Sequence, residues 1–564
     1  MRSFRQIILT KNKFLGPAVL VGLWVLMVLL VRPAGEFPLM DDWSYSRAVR
    51  FLVEEGRLTF TEWESLAPAV SHVLLGALFC VPFGFSFLAL RIFTLTVGLV
   101  GVFATYALLK QTKSGDVLAF FGAAALAVNP VYFALSNTFM TDVPFYALGV
   151  LSLLFFVRGI DRGKTGDIIV GSVLALAATL TRQTGLTLCM AFAVGYVARY
   201  GLTRKRFLAA LLPLVFTLGG YVAYETNVGG AVGLRALSLY GGGGLPESLF
   251  RPDWWGVASF LFRTGVAVSY LGLFLLPLLV VLLWGRLASM GSRRRRRTVL
   301  LLVGAFGLLS VVWLVKDELM PFRRATLSVF GAGPVTLRDV AILKLSNLVP
   351  LPRAFWVAVT MVTAAGAVLL VQNICAAMRR LFSRRERRSA HPVPGWVVAM
   401  ALALCVVYYV PFGLIGFLDR YLILLIPLLM MGLSSLNRAD VGLGRSAWCI
   451  AVSILVVFAL FSVGATHDYF AWNRARWRAL GYLTEEEHIP PSRIDGGLEF
   501  NAWHLYDPKY RVRSGKSFYW VHGDDYVVSF GPIPGYDVWK VYGYRKWLPP
   551  GRGRITLLRK TSPE

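Results

Sequence analysis

Apolar runs of bilayer length recur along almost the whole chain, and no other feature constrains its fold as much. A hydrocarbon core about 30 Å thick is crossed by roughly 20 apolar residues of helix. Runs near that length lie at 14–31, 88–109, 117–134, 143–157, 168–180, 186–197, 207–224, 257–284, 298–315, 355–377, 396–409, 421–433 and 447–463. They predict a polytopic α-helical membrane protein with about thirteen spans. With 56% hydrophobic and 16% charged residues over 564 positions, a water-soluble domain would lack the interior to hide its apolar surface. Soluble, disordered and fibrous classes are excluded. The first run is too long for the core of a signal peptide. Arg32-Pro33-Ala34-Gly35 also offers no small-x-small cleavage site, so the run reads as a span.

The net charge is +27, which in a soluble protein would suggest nucleic acid. Its distribution argues otherwise. Arg2/Arg5/Lys11/Lys13, Lys110/Lys113, Arg158/Arg162/Lys164, Arg199/Arg204/Lys205/Arg206, Arg286 with Arg293–Arg297, Arg379–Arg388 and Arg438/Arg445 occupy alternate loops. All fall on one side if the N-terminus is cytoplasmic, as the positive-inside bias requires. No nucleic-acid partner is expected; the partner of these charges is the bilayer, and the C-terminus lies outside. Cys80, Cys189, Cys375, Cys405 and Cys449 lie in apolar segments, and an exterior tail without thiols suits an oxidising compartment.

The exterior loop 33–87 carries Asp41-Asp42 and amphipathic segments at 48–55 and 68–79, the second expected to lie in the interface. Residues 225–255 include the glycine run 241–244, read as a hinge, and 316–352 form a third long exterior stretch. After 465 the chain turns polar and aromatic, with strand-like runs at 526–530 and 538–544 and turn signals at Pro532, Pro534-Gly535 and Pro549-Pro550-Gly551. A membrane domain over 1–465 and a small exterior α/β domain over 466–564 are expected. His467, His488, His504 and His522 lack zinc spacing, and His72 reads as facing the surface or lipid headgroups. The tail tryptophans read first as core and second as stacking platforms for sugars.

Ionisable residues at the ends of spans are costly and therefore functional candidates. Asp41, Asp42, Arg91, Asp142, Arg182 and Asp419-Arg420-Tyr421 converge on the exterior boundary, not on the midplane where a transporter keeps its site. Carboxylates there can deprotonate or orient a hydroxyl. Arginines can hold a phosphate by charge-assisted bonds and stabilise it as it leaves. The structural alternative is a helix cap or a snorkelling arginine.

The set resembles the GT-C membrane glycosyltransferases, in particular the bacterial relatives of protein O-mannosyltransferases and of the lipid A aminoarabinose transferase (glycosyltransferase family 39-like). Asp41-Asp42-Trp43-Ser44-Tyr45-Ser46-Arg47-Ala48 is similar to that group's first-loop D-[DE]-x-x-Y-x-x-A motif. Thr141-Asp142 resembles its second acidic position, and Arg91 an arginine opening the span after the interfacial helices. Thr179-Leu180-Thr181-Arg182 resembles its L-T-[KR] turn, and Arg420-Tyr421 with Pro427 a late R-Y-x(n)-P element. Segments 468–477 and 493–501 look like the tail of a bacterial subgroup. Two departures stand out. Ser44 occupies a place often basic, and Leu66-Ala67-Pro68 replaces an expected K-P-P, leaving Arg47 or Arg50 to substitute as donor contact.

The resemblance implies inverting transfer of a sugar from a polyprenyl-phosphate donor to an acceptor on the exterior side of a bacterial cytoplasmic membrane. The acceptor would be a glycolipid, a cell-wall glycan or a protein. Asp41 would be the base and Asp142 its catalytic partner. Asp42, Tyr45, Arg47, Arg91, Arg182, Arg420 and Tyr421 would bind substrate. No cofactor is required, no metal ligands are assigned, and two separated acids are still able to hold a hard divalent ion. The competing readings are a flippase for a lipid-linked glycan, which calls for midplane charges or pseudo-repeats, and an O-antigen polymerase or ligase, whose large exterior domain would be an internal loop.

Overall fold

Every one of the thirteen runs meets helix. The computed structural model describes residues 14–61, 63, 68–227, 254–288, 290–323, 325–382, 393–434, 445–512, 516 and 519–561. The glycine run 241–244, the basic stretch 383–388 and Arg438 lie outside them. Helix α1 (Leu15–Val31) precedes the first loop, which carries α2 (Asp42–Glu55) and α3 (Val70–Cys80). There follow α4 (Phe87–Gln111), α5 (Asp116–Ala127), α6 (Pro130–Ser136), α7 (Asp142–Arg162), α8 (Thr165–Thr179), α9 (Leu186–Tyr200) and α10 (Arg204–Asn227). Beyond them come α11 (Trp254–Phe274), α12 (Leu276–Ala288), α13 (Ser292–Val315), α14 (Arg353–Phe382), α15 (Gly395–Ile415), α16 (Leu425–Ser434) and α17 (Arg445–Gly481). Among the described residues eight helices are long and apolar enough to cross a membrane, nine if the bent pair α5–α6 is one span. The remaining expected spans are shorter helices, and the run 257–284 divides into α11 and α12 at Leu275.

The break between α5 and α6 turns the chain by 59°, and its cause is local. Asn129 caps α6 by accepting from the N–H groups of Val131 and Tyr132, both at 3.0 Å, and Pro130 supplies a pre-set first turn. The freed carbonyl of Val128 accepts from Ser462 at 2.7 Å, so the polar groups released inside the membrane domain are answered by protein. Elsewhere, α11 and α14 approach backbone to backbone. A Cβ on Gly272 would lie 2.4 Å from Ala367 N, and one on Gly366 would lie 2.5 Å from Gly272 C. Small residues permit such crossings.

The tail differs from the expected division at 465/466. Helix α17 runs unbroken through that point for 37 residues, so the polar tail begins as the end of a membrane helix. Between α13 and α14 lies a short antiparallel pair, β1 (Leu327–Ser328) and β2 (Gly331–Ala332), and against α17 sits a four-stranded sheet in the order β3 (Ile494–Asp495), β4 (Tyr526–Ser529), β6 (Pro550–Lys560), β5 (Tyr536–Trp547). The β3–β4 pair is parallel and the others antiparallel. Helix α18 (Leu498–Leu505) packs on α2. The stretch 316–352 joins this domain: Arg338 pairs with Asp524 at 2.8 Å, and Asp339 accepts from Phe530 N–H at 3.0 Å. At the domain's base, fully buried Arg476 and Glu499 pair at 2.8 Å, and Thr336 donates to the same carboxylate at 2.6 Å. Arg474 reaches back to donate to the Arg32 carbonyl at 2.9 Å, and Phe37 stacks on Trp477 at 5.9 Å.

Candidate active site

The first loop leaves α1 and turns sharply at Met40, a buried non-glycine residue held at φ +57°. Such a conformation persists only where its surroundings enforce it. Here Asp42 Oδ1 accepts from the Leu39 N–H at 2.6 Å, across Met40. The other oxygen of Asp42 accepts from the Phe139 N–H at 3.0 Å, and the Phe139 carbonyl accepts from His72 Nε2 at 3.1 Å. The Phe139 peptide is thereby held at both ends, which fixes the turn from α6 to Asp142 against the first loop. A carbonyl only accepts, so His72 carries its proton on Nε2.

Asp142 opens α7, and Arg182, at the turn after α8, donates to its Oδ1. Arg420 lies between the two acids, its Nη2 3.7 Å from Asp41 and its Nε 3.8 Å from Asp142 Oδ2. These are ion-pair separations, not hydrogen bonds. Asp142 Oδ2 and Arg420 Nε make no hydrogen bond among the described residues, although both are buried. Arg420 is aimed by its neighbour: Asp419 accepts from Thr326 and Leu327 N–H groups, at 2.8 Å for the latter, and from Arg420's own N–H at 2.8 Å. Tyr421 places its ring 4.9 Å from the Arg182 guanidinium.

Asp41 keeps 31% of its side chain accessible, while protein surrounds the rest. Loss of water raises its pKa above the usual carboxylate range, against the pull of Arg420 and of a hydrogen bond from the Trp63 indole. Trp63 lies in turn against Trp43 and the tail's Trp520, with centroids at 6.0 and 5.3 Å. Among the described residues no group of three His, Cys, Asp or Glu side chains is arranged to hold a metal.

Three sequence readings are revised. Arg91 was expected to bind substrate, but it is 1% exposed and donates to the carbonyls of Pro33, Gly35 and Phe37. Its guanidinium shapes the first loop and has no open face. Asp42, also 1% exposed, is occupied by the two backbone N–H groups above. Burial pushes its pKa up to about 7. His72, expected at the surface, is fully buried and stacks on Phe139 at 3.9 Å.

Of the first-loop residues, Tyr45 packs edge-on to His72 at 5.7 Å. Arg47 leaves Nη1 buried without a hydrogen bond among the described residues, beside the rings of Phe51 and Tyr506. Arg50, its alternative, is paired with Glu54 at 2.9 Å. Sequence reasoning missed Trp63, and it missed the tail's part in the site through Trp520. Nothing in the spacing of either residue points to Asp41.

Residues 68–226 match the family described as dolichyl-phosphate-mannose-protein mannosyltransferase. A search of curated proteins finds no matching relative. Among solved structures, an oligosaccharyltransferase of Archaeoglobus fulgidus tethered to an acceptor peptide aligns at 14% identity and a TM-score of 0.43. That alignment covers 85% of this chain, which spans only 58% of the archaeal enzyme. ArnT of Cupriavidus metallidurans bound to undecaprenyl phosphate aligns at 13% identity over 98% of this chain and 99% of its own, with a TM-score of 0.35. The family match is to residues 68–226, a segment that includes Arg91, Asp142 and Arg182 of the candidate site.

Proposed function

We propose that the chain transfers one sugar from a polyprenyl-phosphate donor to an acceptor hydroxyl on the exterior side of the bacterial cytoplasmic membrane, with inversion. The observation that carries this reading is the placement of Arg420 between Asp41 and Asp142, with Arg182 on the second acid. Asp41, the more accessible acid, takes the acceptor proton. The acceptor oxygen then bonds to the anomeric carbon, and the bond to phosphate breaks with its electron pair passing to the phosphate. Arg420 and Arg182 neutralise that charge in a site with little water. Asp142 keeps both arginines in place, Arg47 offers a further donor to the phosphate, and Tyr421 braces Arg182. The matching family's description names a lipid-phosphate sugar, which supports this choice of donor.

The acceptor is drawn from glycolipids, cell-wall glycans and protein hydroxyls. The test is a proteoliposome assay with labelled polyprenyl-phosphate sugars and extracted membrane acceptors. Wild type labels acceptor, and Asp41→Asn abolishes labelling at unchanged protein level. Normal labelling by the variant would remove Asp41 from the mechanism. Movement of intact donor across the bilayer without transfer would favour a flippase.

A further inference from the structure

The hairpin of β5 and β6 carries a cluster of cations that the reaction does not use. Arg545 lies directly opposite Arg552, and Gly543 directly opposite Arg554. Residues opposite each other, and those two apart on a strand, share a face, so Arg545, Arg552 and Arg554 stand together. All three are exposed, and among the described residues no carboxylate pairs with any of them. Like charges directly opposed across a strand pair repel, so the cluster is stable in the presence of an anion and strained without one.

The height of the hairpin identifies that anion. From Ser446 to Thr466 helix α17 has no charged residue, and that stretch is about 30 Å of helix, one hydrocarbon thickness. The hairpin turn sits at its upper end. A Cβ on Gly464 would touch the Leu548 side chain at 2.8 Å. Asp468 accepts from the N–H groups of Trp547 and Leu548 at 2.7 and 2.8 Å. Trp547, 38% exposed, stacks on His467 at 3.9 Å, the position of an interfacial anchor. Further along, Arg478 donates to the Gly543 carbonyl at 3.4 Å, so the strands run alongside α17 and away from the membrane. Arg545 and Arg552 stand only about 10 Å of strand above the turn, within side-chain reach of the phosphate layer.

We propose that this face binds the anionic phospholipid headgroups of the surrounding bilayer and fixes the tail to the membrane surface beside α17. Its partner is the membrane's own lipid, not the sugar donor, so the inference is independent of the reaction above.

The test uses the full chain in proteoliposomes of phosphatidylglycerol and phosphatidylcholine. Gly543 faces open space, so replacing it with benzoyl-phenylalanine places a photoreactive group on the arginine face. Adducts are released and their headgroups identified by mass. Adducts enriched in phosphatidylglycerol by at least about fivefold over its share in the membrane are expected, the Boltzmann equivalent of one basic residue held at an anionic surface. Arg545→Gln/Arg552→Gln/Arg554→Gln in the same background reduces the enrichment to parity, with an unchanged gel-filtration profile showing that the chain still folds. Adducts in proportion to membrane composition, adducts to protein alone, or an enrichment that survives the triple substitution would each overturn the proposal.

Discussion

At the residue scale, two neighbouring carboxylates are set apart by their surroundings. Asp41 is open enough to meet a substrate, and its pKa is raised. A base acts only when ionised, so transfer should decline on the acid side with a midpoint above the ordinary Asp value of about 3.9. A pH–rate profile in proteoliposomes checks this, and a flat profile down to that value would count against Asp41 as base. Asp42 affects stability instead. Its pKa is about 7 in the folded chain and about 3.9 when free, so between those values the native state holds more protons than the unfolded one. Stability therefore falls as pH rises through that window. Thermal unfolding in detergent at pH 5 and pH 8 should show this, with Asp42→Asn flattening the difference; parallel profiles would refute it. Asp41, Asp142 and Arg420 were legible in the sequence because charges at the edges of apolar runs stand out. The duties of Asp42 and Arg91 were not, since a carboxylate satisfied by backbone N–H groups is written with the same letter as a catalytic one.

At the element scale, the apolar runs gave the helices because a buried or lipid-facing helix needs little beyond length and apolarity. The interruptions were harder to read. Asn129-Pro130 is a cap followed by a first-turn proline, a signal present in the sequence but hidden within an otherwise continuous apolar run. Asn129→Ala should cost about 1 kcal/mol and lower transfer as well, because the turn that carries Asp142 follows α6. Assaying both properties distinguishes this from a purely structural cap, which would leave transfer per folded molecule unchanged. The crossing of α11 and α14 depends on glycine on both sides, and no spacing in either helix announces its partner. Gly272→Leu should destabilise by about 1–3 kcal/mol through overpacking, read as a lower unfolding temperature. An unchanged temperature would mean that the two helices do not meet at this point.

At the scale of the whole molecule, the tail is part of the first loop's support. Trp43, adjacent to Asp42, is buried among Leu498, Ala502 and Trp520 of the tail, and Arg476 and Glu499 are buried as a pair at its base. Removing one partner leaves the other charge uncompensated, at a cost of about 3–5 kcal/mol. Glu499→Leu alone should therefore open the tail to protease and abolish transfer, while Arg476→Met with Glu499→Leu recovers much of the stability. Equal protease resistance of the single variant and wild type would contradict this. The composition change near 466 correctly announced the tail but placed its start at the wrong kind of boundary, because α17 stays helical while its residues turn polar. The bond from Arg474 to the Arg32 carbonyl joins residues 442 positions apart. The first loop is therefore synthesised long before the segment that supports it. Between those two moments the site is unfinished, and it becomes competent only when α17 and the tail behind it have arrived.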